Sequence, residues 1–221
     1  MRRFGRLTVL AVLVLFVSQL SGCGQRVVAK TLKESTLVIS ADGRLTAYLV
    51  GEFDKSYYNV EELASMAEGE AAEFGGAGDT APVKVVSVEP AEDGSSRVVV
   101  TYSFDSTDSY EEFIQDTLFY GTVEEALAHG YGSNVSLQNV NDGFIMTGQD
   151  LSQIQGKHLV VFCPEQVEFT GEQETEKHLI IYCPEQVEYL SRGATLNQDG
   201  SVDVSWIEGT EYTPVYILMR K

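Results

Sequence analysis

The sequence predicts an α+β protein in which antiparallel β-hairpins and a β-meander carry two to three helices on one face. Three observations predict this class. Asp-Gly pairs separate β-rich runs in the first half of the chain, and capping patterns precede apolar helical stripes there. After residue 140, short β-type runs replace the helical patterns.

The composition is that of an acidic globular protein. The 221 residues include 15 Lys and Arg against 33 Asp and Glu, for a formal charge of −18, with 43% hydrophobic and 22% charged residues. These proportions exclude a collagenous, coiled-coil or wholly disordered chain, and three cysteines are too few for a small disulfide-rich scaffold. The deficit of Lys and Arg also argues against a nucleic-acid partner.

The first hairpin joins residues 36–40 to residues 45–50 through Asp42-Gly43, because an Asp-Gly pair readily adopts the positive φ of a tight turn. Residues 59–62 then have capping-box spacing, which predicts the start of a helix. That helix would bury an apolar stripe and end at Gly75-Gly76. The stripe consists of Leu63, Met66, Ala67 and Phe74.

A second hairpin and two more helices follow. Residues 83–89 and 97–104 flank another Asp-Gly turn, and capping patterns recur at residues 108–111 and 122–125. The second helix is predicted to extend through Phe119, and the third is short. The element order up to this point is β-β-α-β-β-α-α.

From residue 140 onward the sequence predicts a β-meander. Its β-type runs lie at residues 143–147, 158–162, 167–169, 178–182, 187–190, 202–206 and 215–219. We expect one globular domain over residues 36–221, because each half alone would be small. A sub-boundary near residues 131–139 is the alternative.

The C-terminal part contains a tandem repeat. Residues 157–169 recur as residues 177–189, with nine of 13 positions identical and the other four exchanging Val for Ile or Phe for Tyr. These exchanges preserve shape and burial, so duplication of a strand-turn-strand unit accounts for the repeat. Two copies are fewer than the roughly three that a free-standing solenoid needs.

The repeat contains two histidines and two cysteines, a set that suits zinc. Residues five apart in a strand point to opposite faces and lie about 16 Å apart, so His158 and Cys163 would not share an ion. The same argument applies to His178 and Cys183 in the second copy. We therefore expect no metal and no other cofactor.

Cys163 and Cys183 are also candidates for a disulfide, because an exported protein meets an oxidising compartment. Adjacent parallel copies would place equivalent positions about 4.8 Å apart, which permits a bridge. Alternating strands of a meander would place them about 10 Å apart, beyond the limit of about 7 Å. The predicted meander favours two free, partly buried thiols.

The first 22 residues predict an export signal. Three arginines precede an apolar run at residues 7–20, which is shorter than the roughly 20 residues of a membrane span. Leu20-Ser21-Gly22-Cys23 resembles the lipobox of bacterial lipoproteins, in which a lipid is attached to the Cys thiol and the chain is cut before it. This resemblance implies removal of residues 1–22 and a lipidated Cys23, with a tether over residues 23–35. Ordinary secretion with an unmodified Cys23 is the alternative.

The mature chain would be more acidic than its precursor. Loss of residues 1–22 removes three arginines and no acidic residue, leaving 12 cationic against 33 acidic residues and a charge of −21 on 199 residues. Anionic lipid head groups repel such a domain, so the lipid itself must hold it at the extracytoplasmic face of the cell membrane.

Gly-Glu-Phe-Asp-Lys-Ser-Tyr-Tyr at residues 51–58, ahead of Glu61-Glu62-Leu63, together with residues 118–126, resembles an uncharacterised lipoprotein family of gut Gram-positive anaerobic bacteria. The likeness would span most of the mature chain. It implies surface anchoring and brings no catalytic or binding residue.

The sequence contains no phosphate-binding loop, nucleophile elbow or His-Glu-x-x-His motif. We therefore expect a non-catalytic binding or interaction module, held at the membrane by its lipid, with a protein or glycan as its ligand. The alternative is an extracytoplasmic hydrolase whose acid-base residues come together only in the fold.

Overall fold

The computed structural model describes residues 27–55, 57–165, 175–208, 210 and 212–220, and these form an α+β fold. The described strands are β1 Ser35–Ile39, β2 Leu45–Glu52, β3 Val83–Pro90, β4 Arg97–Phe104, β5 Thr117–Thr122, β6 Ser136–Asn139, β7 Ile145–Thr147, β8 His158–Cys163, β9 Glu176–Tyr182, β10 Val187–Ser191, β11 Ala194–Leu196, β12 Val202–Ile207 and β13 Val215–Met219. The described helices are α1 Val60–Gly75, α2 Thr107–Ile114, α3 Val123–Ala128 and α4 Gly148–Leu151, after a 3-10 turn at Ala29–Thr31.

The strands form two sheets. The first sheet has the order β11-β12-β9-β1-β2-β4-β3, and the second has the order β5-β8-β13-β10-β6-β7. Neighbouring strands are antiparallel except β1 and β9, which are parallel. Strands from both sides of residues 131–139 take part in each sheet.

Two hydrophobic clusters hold these layers together. The larger one is built from the facing sides of the two sheets, with Leu37 and Ile181 on the first and Val160 and Phe162 on the second, and it includes residues of α1 and α2. The smaller one lies on the other side of the second sheet, where α3 and α4 pack against residues such as Leu159. The helices are therefore divided between two faces rather than gathered on one.

Local signals in the sequence correctly predict both hairpins and the start of α1. Both predicted hairpins form, and Gly43 adopts φ +82° in the first turn. Asn59 caps α1, because its Oδ1 accepts hydrogen bonds from the backbone N–H groups of Glu61 and Glu62 at 2.8 and 3.2 Å. The predicted stripe of α1 is wrong at Met66, which is 57% exposed.

The second predicted helix differs from the structure at both ends. Ser106, not Asp108, caps α2, since its Oγ accepts from the Ser109 N–H at 3.1 Å. Gln115 then adopts a left-handed conformation with φ 74° and ends the helix. Leu118 and Phe119 consequently lie in β5, a strand absent from the predicted order.

The C-terminal half is not a simple meander. A four-residue helix, α4, interrupts it, and the two repeat copies contribute β8 to the second sheet and β9 to the first. The copies are thus neither adjacent parallel strands nor alternating strands of one sheet. Residues 167–169, predicted as a strand in the first copy, lie outside the described residues. No helix in the described part of the chain is both long and apolar enough to cross a membrane.

Candidate functional site

An open cavity of about 550 Å³ lies beside the start of α1. Leu49, Gly51, Val98 and Val100 of β2 and β4 form its floor. Its walls are Leu63 and Met66 of α1 and the rings of Phe53, Tyr57 and Tyr58 in the loop before α1. We call this site the aromatic cleft.

The floor of the aromatic cleft exists because β2 has a glycine where a side chain would fill the space. Gly51 pairs with Val98 on the face of the sheet that α1 covers. A Cβ atom added at Gly51 would meet no atom within 4 Å. The backbone φ of Gly51 is also outside the left-handed region. A larger residue therefore fits the backbone here and would occupy the cleft.

The aromatic wall is ordered by ring contacts and one backbone tie. The centroid of the Tyr58 ring lies 4.7 Å from that of Phe53 and 4.9 Å from that of Tyr57. The Phe53 N–H donates to the carbonyl oxygen of Ser96 at 2.7 Å, which fastens the loop to the turn between β3 and β4. Yet Tyr57 is 74% exposed, so the fold itself gains little from this ring.

The charge around the aromatic cleft is negative. Glu52 and Glu62 lie among its lining residues, and no Lys, Arg or His of the described residues does. The Ser96 hydroxyl donates to Glu52 Oε2 at 2.8 Å, which holds that carboxylate at the rim. The amide oxygen of Asn59, another lining residue, is occupied by capping α1.

The histidines of the repeat are separated and each faces its own carboxylate. His158 Nδ1 lies 3.0 Å from Glu185 Oε1, and His178 Nδ1 lies 3.0 Å from Asp203 Oδ1. In the described residues, no group of three or more His, Cys, Asp or Glu side chains is placed to hold a metal ion. The zinc interpretation thus finds no site in that part of the chain.

The two cysteines of the repeat lie at the ends of strands from different sheets. Cys163 ends β8 and Cys183 follows β9, and both are free thiols in the structure. Burial raises the pKa of the Cys163 thiol, and raises that of Cys183 to about 12, although the Cys183 residue as a whole is only half-buried. A thiol with such a pKa stays protonated near neutral pH and is a poor nucleophile.

A buried polar niche lies beside Cys183. The Tyr120 ring packs against the His158 ring with a centroid distance of 5.3 Å. Among the described residues, Tyr120 Oη and Glu185 Oε2 are buried without a hydrogen-bond partner. Burial raises the pKa of Tyr120, and the nearby Glu185 carboxylate adds to this effect.

The sequence-predicted site residues and the aromatic cleft do not coincide. Cys23 lies outside the described residues, and neither Cys163 nor Cys183 lines the cleft. The sequence did contain a signal for the cleft, namely three aromatic residues within the otherwise polar segment 53–58. The floor carries no such signal, because it depends on pairing between β2 and β4.

Comparisons with known proteins identify no relative, so the function is inferred from the geometry of the cleft. The chain matches no protein-family model, and no curated protein or solved structure is detectably similar to it.

Proposed function

We propose that the chain is a lipid-anchored, extracytoplasmic binding module without catalytic activity, and that the aromatic cleft is its ligand site. The observation that carries the proposal is the exposure of Tyr57 and Met66 around an apolar floor, since a soluble domain gains nothing from presenting these side chains to water. The volume of about 550 Å³ is in the usual range for small-molecule sites.

The anchor is proposed from the sequence alone. Residues 7–20 have the length of an export signal, and Leu20-Ser21-Gly22-Cys23 has the small residues of a lipobox. The resemblance to a family of surface lipoproteins agrees with this part of the proposal. A mature charge of −21 makes adhesion to an anionic membrane by the domain itself unfavourable.

Fatty-acid labelling tests the anchor. Cells that express the full chain are grown with radiolabelled palmitate, and the protein is isolated and its label counted. The Cys23→Ala variant should lose the label, whereas the Cys163→Ala variant should keep it. Equal labelling of the Cys23→Ala variant and the unchanged chain would contradict a lipid at Cys23.

A neutral apolar dye tests the cleft. Nile red should become fluorescent with the unchanged chain, and Gly51→Leu should suppress this response by filling the floor. Gly69→Ala is the matched control, because Gly69 lies on α1 outside the cleft and also has open space around its Cα. Equal dye fluorescence in both variants would show that the dye binds elsewhere and would contradict the cleft as an apolar binding site.

The alternative function, an extracytoplasmic hydrolase, finds only carboxylates in the cleft. Its described lining includes Glu52 and Glu62 but neither a histidine nor a cysteine that could act as a base or nucleophile. His158 and His178 lie outside it, and the pKa of about 12 makes Cys183 unsuitable as a nucleophile.

A further inference from the structure

The aromatic cleft lies at the end of the first sheet where the described chain begins. β2 ends there, and the loop that carries Phe53 is bonded to Ser96 in the turn between β3 and β4. The same turn is bonded to the N-terminal segment, because the Glu92 N–H donates to the Lys30 carbonyl oxygen at 3.1 Å. Lys30 also pairs with Glu89 at 3.2 Å. The cleft and the N-terminal segment thus share one end of the sheet.

The length of chain before this segment limits how far that end can lie from a membrane. Residues 24–26 separate Cys23 from Val27, the first described residue. Four steps between successive Cα atoms span at most about 14 Å. A lipid on Cys23, as proposed above, would therefore hold the cleft end of the domain close to the bilayer surface, and the following inference rests on that anchor.

We propose that the aromatic cleft takes up an amphiphile of the underlying membrane whose head group bears an ammonium group. The apolar floor around Gly51 suits an alkyl chain, and tyrosine rings are well suited to the interface between lipid and water. An ammonium group is attracted both to aromatic ring faces and to carboxylates. Glu52 and Glu62, with no cationic side chain among the described residues that line the cleft, disfavour a purely anionic head group.

Because only residues 24–26 separate Cys23 from Val27, the membrane rather than free solution is the source of the ligand. The opposite end of the first sheet, where β1 turns into β2 at Arg44, would point away from the bilayer. If the cleft faces the membrane, a reporter in the cleft should contact lipid, whereas a reporter at position 44 should not.

Quenching by brominated lipids tests the proposal in the lipidated full chain. Trp206 is the single tryptophan, so Trp206→Phe provides a background in which Tyr57→Trp reports on the cleft and Arg44→Trp on the opposite end. The protein is reconstituted in vesicles of equal phosphatidylcholine and phosphatidylglycerol, with one or the other lipid brominated on its acyl chains. Flotation of the vesicles verifies the anchor separately.

We expect brominated phosphatidylcholine to quench the tryptophan at position 57 at least twofold more than brominated phosphatidylglycerol does. The tryptophan at position 44 should be quenched by neither. Adding Gly51→Leu to the position-57 reporter should abolish the preference for phosphatidylcholine, because the floor is then filled.

Four results would overturn the inference. Equal quenching by both lipids would contradict selection of an ammonium head group. An unquenched reporter at position 57 on floated vesicles would contradict the membrane-facing cleft and leave the anchor intact, and a response of that reporter to maltotriose would point to a glycan instead. Failure of the protein to float with the vesicles would contradict the anchor, and the inference would fail with it.

Discussion

Phe162 and Tyr182 hold equivalent positions in the two repeat copies, but their rings lie in opposite environments. Phe162 is fully buried between the sheets, with its ring centroid 6.1 Å from that of Trp206. Tyr182 lies on the outer face of the first sheet and donates from its hydroxyl to Asp199 Oδ2 at 2.8 Å. The Phe-to-Tyr exchange between the copies therefore matches the difference in their surroundings.

The two copies present opposite faces to the shared core. In β8, Val160 and Phe162 enter the cluster between the sheets, whereas the equivalent residues of β9 do not. In β9 the core residues are instead Leu179 and Ile181. Residues 159–162 and 179–182 are apolar or aromatic at all four positions, which makes this exchange of faces possible because either face can be buried.

We predict that Phe162→Ala is far more destabilising than Tyr182→Ala. Removal of a fully buried phenyl ring should lower the free energy of unfolding by about 3 to 5 kcal/mol, through lost burial and the cavity left behind. Tyr182→Ala removes a half-buried ring with one exposed hydrogen bond and should cost clearly less. Urea unfolding curves measure both values, and equal costs would contradict the assignment of the copies to different environments.

The features that the sequence predicts correctly are those decided within a few residues. Asp42-Gly43 makes its turn and Asn59 caps its helix because each effect acts over two or three positions. The end of α2 at Gln115 could not be predicted in this way, since nothing nearby in the sequence requires a left-handed glutamine. The assignment of β8 and β9 to separate sheets depends on long-range pairing with β13 and β1, and the floor of the aromatic cleft depends on long-range pairing between β2 and β4.

Two glycines of α1 should respond in opposite directions to the same substitution. Gly69 is surrounded by open space, so Gly69→Ala should stabilise the protein by about 1 kcal/mol through higher helix propensity. A Cβ at Gly75 would collide with the Pro82 ring, so Gly75→Ala should destabilise it. Thermal melts of the two variants check this, and a rise in Tm for Gly75→Ala would contradict the packing of α1 against β3.

The two cysteines of the repeat should be unreactive in the folded protein. A pKa of about 12 leaves roughly one Cys183 thiol in 10,000 ionised at pH 8, and burial also raises the pKa of Cys163. We expect iodoacetamide at pH 8 to alkylate both slowly in the native state and rapidly in urea. Thiolate is also the form that enters disulfide exchange, so both should remain reduced.

Mass spectrometry of peptides from the non-reduced protein checks the second expectation about Cys163 and Cys183. A cross-linked peptide pair would establish the disulfide that the sequence left open. Fast native alkylation at Cys183 would instead show that its thiol is accessible and ionised.

The pair of His178 and Asp203 should make stability depend on pH. The hydrogen bond that the His178 ring donates to Asp203 raises the pKa of His178, and the nearby carboxylates of Glu176 and Glu34 add to this effect, while burial opposes it. A pKa raised on folding means that the charged pair contributes fully below the unfolded value of about 6.5. That contribution is lost as the pH rises through the higher pKa of the folded state.

We therefore expect Asp203→Asn to lower Tm most at pH 6 and progressively less toward pH 9. Asp42→Asn is the control, because hydrogen bonding to Arg44 lowers the pKa of Asp42 and places its titration in acid. Its effect on Tm should be constant between pH 6 and pH 9. Melting curves across this range decide the matter: an Asp203→Asn penalty that stays constant or grows with pH would mean that His178 is not held in its charged form by Asp203.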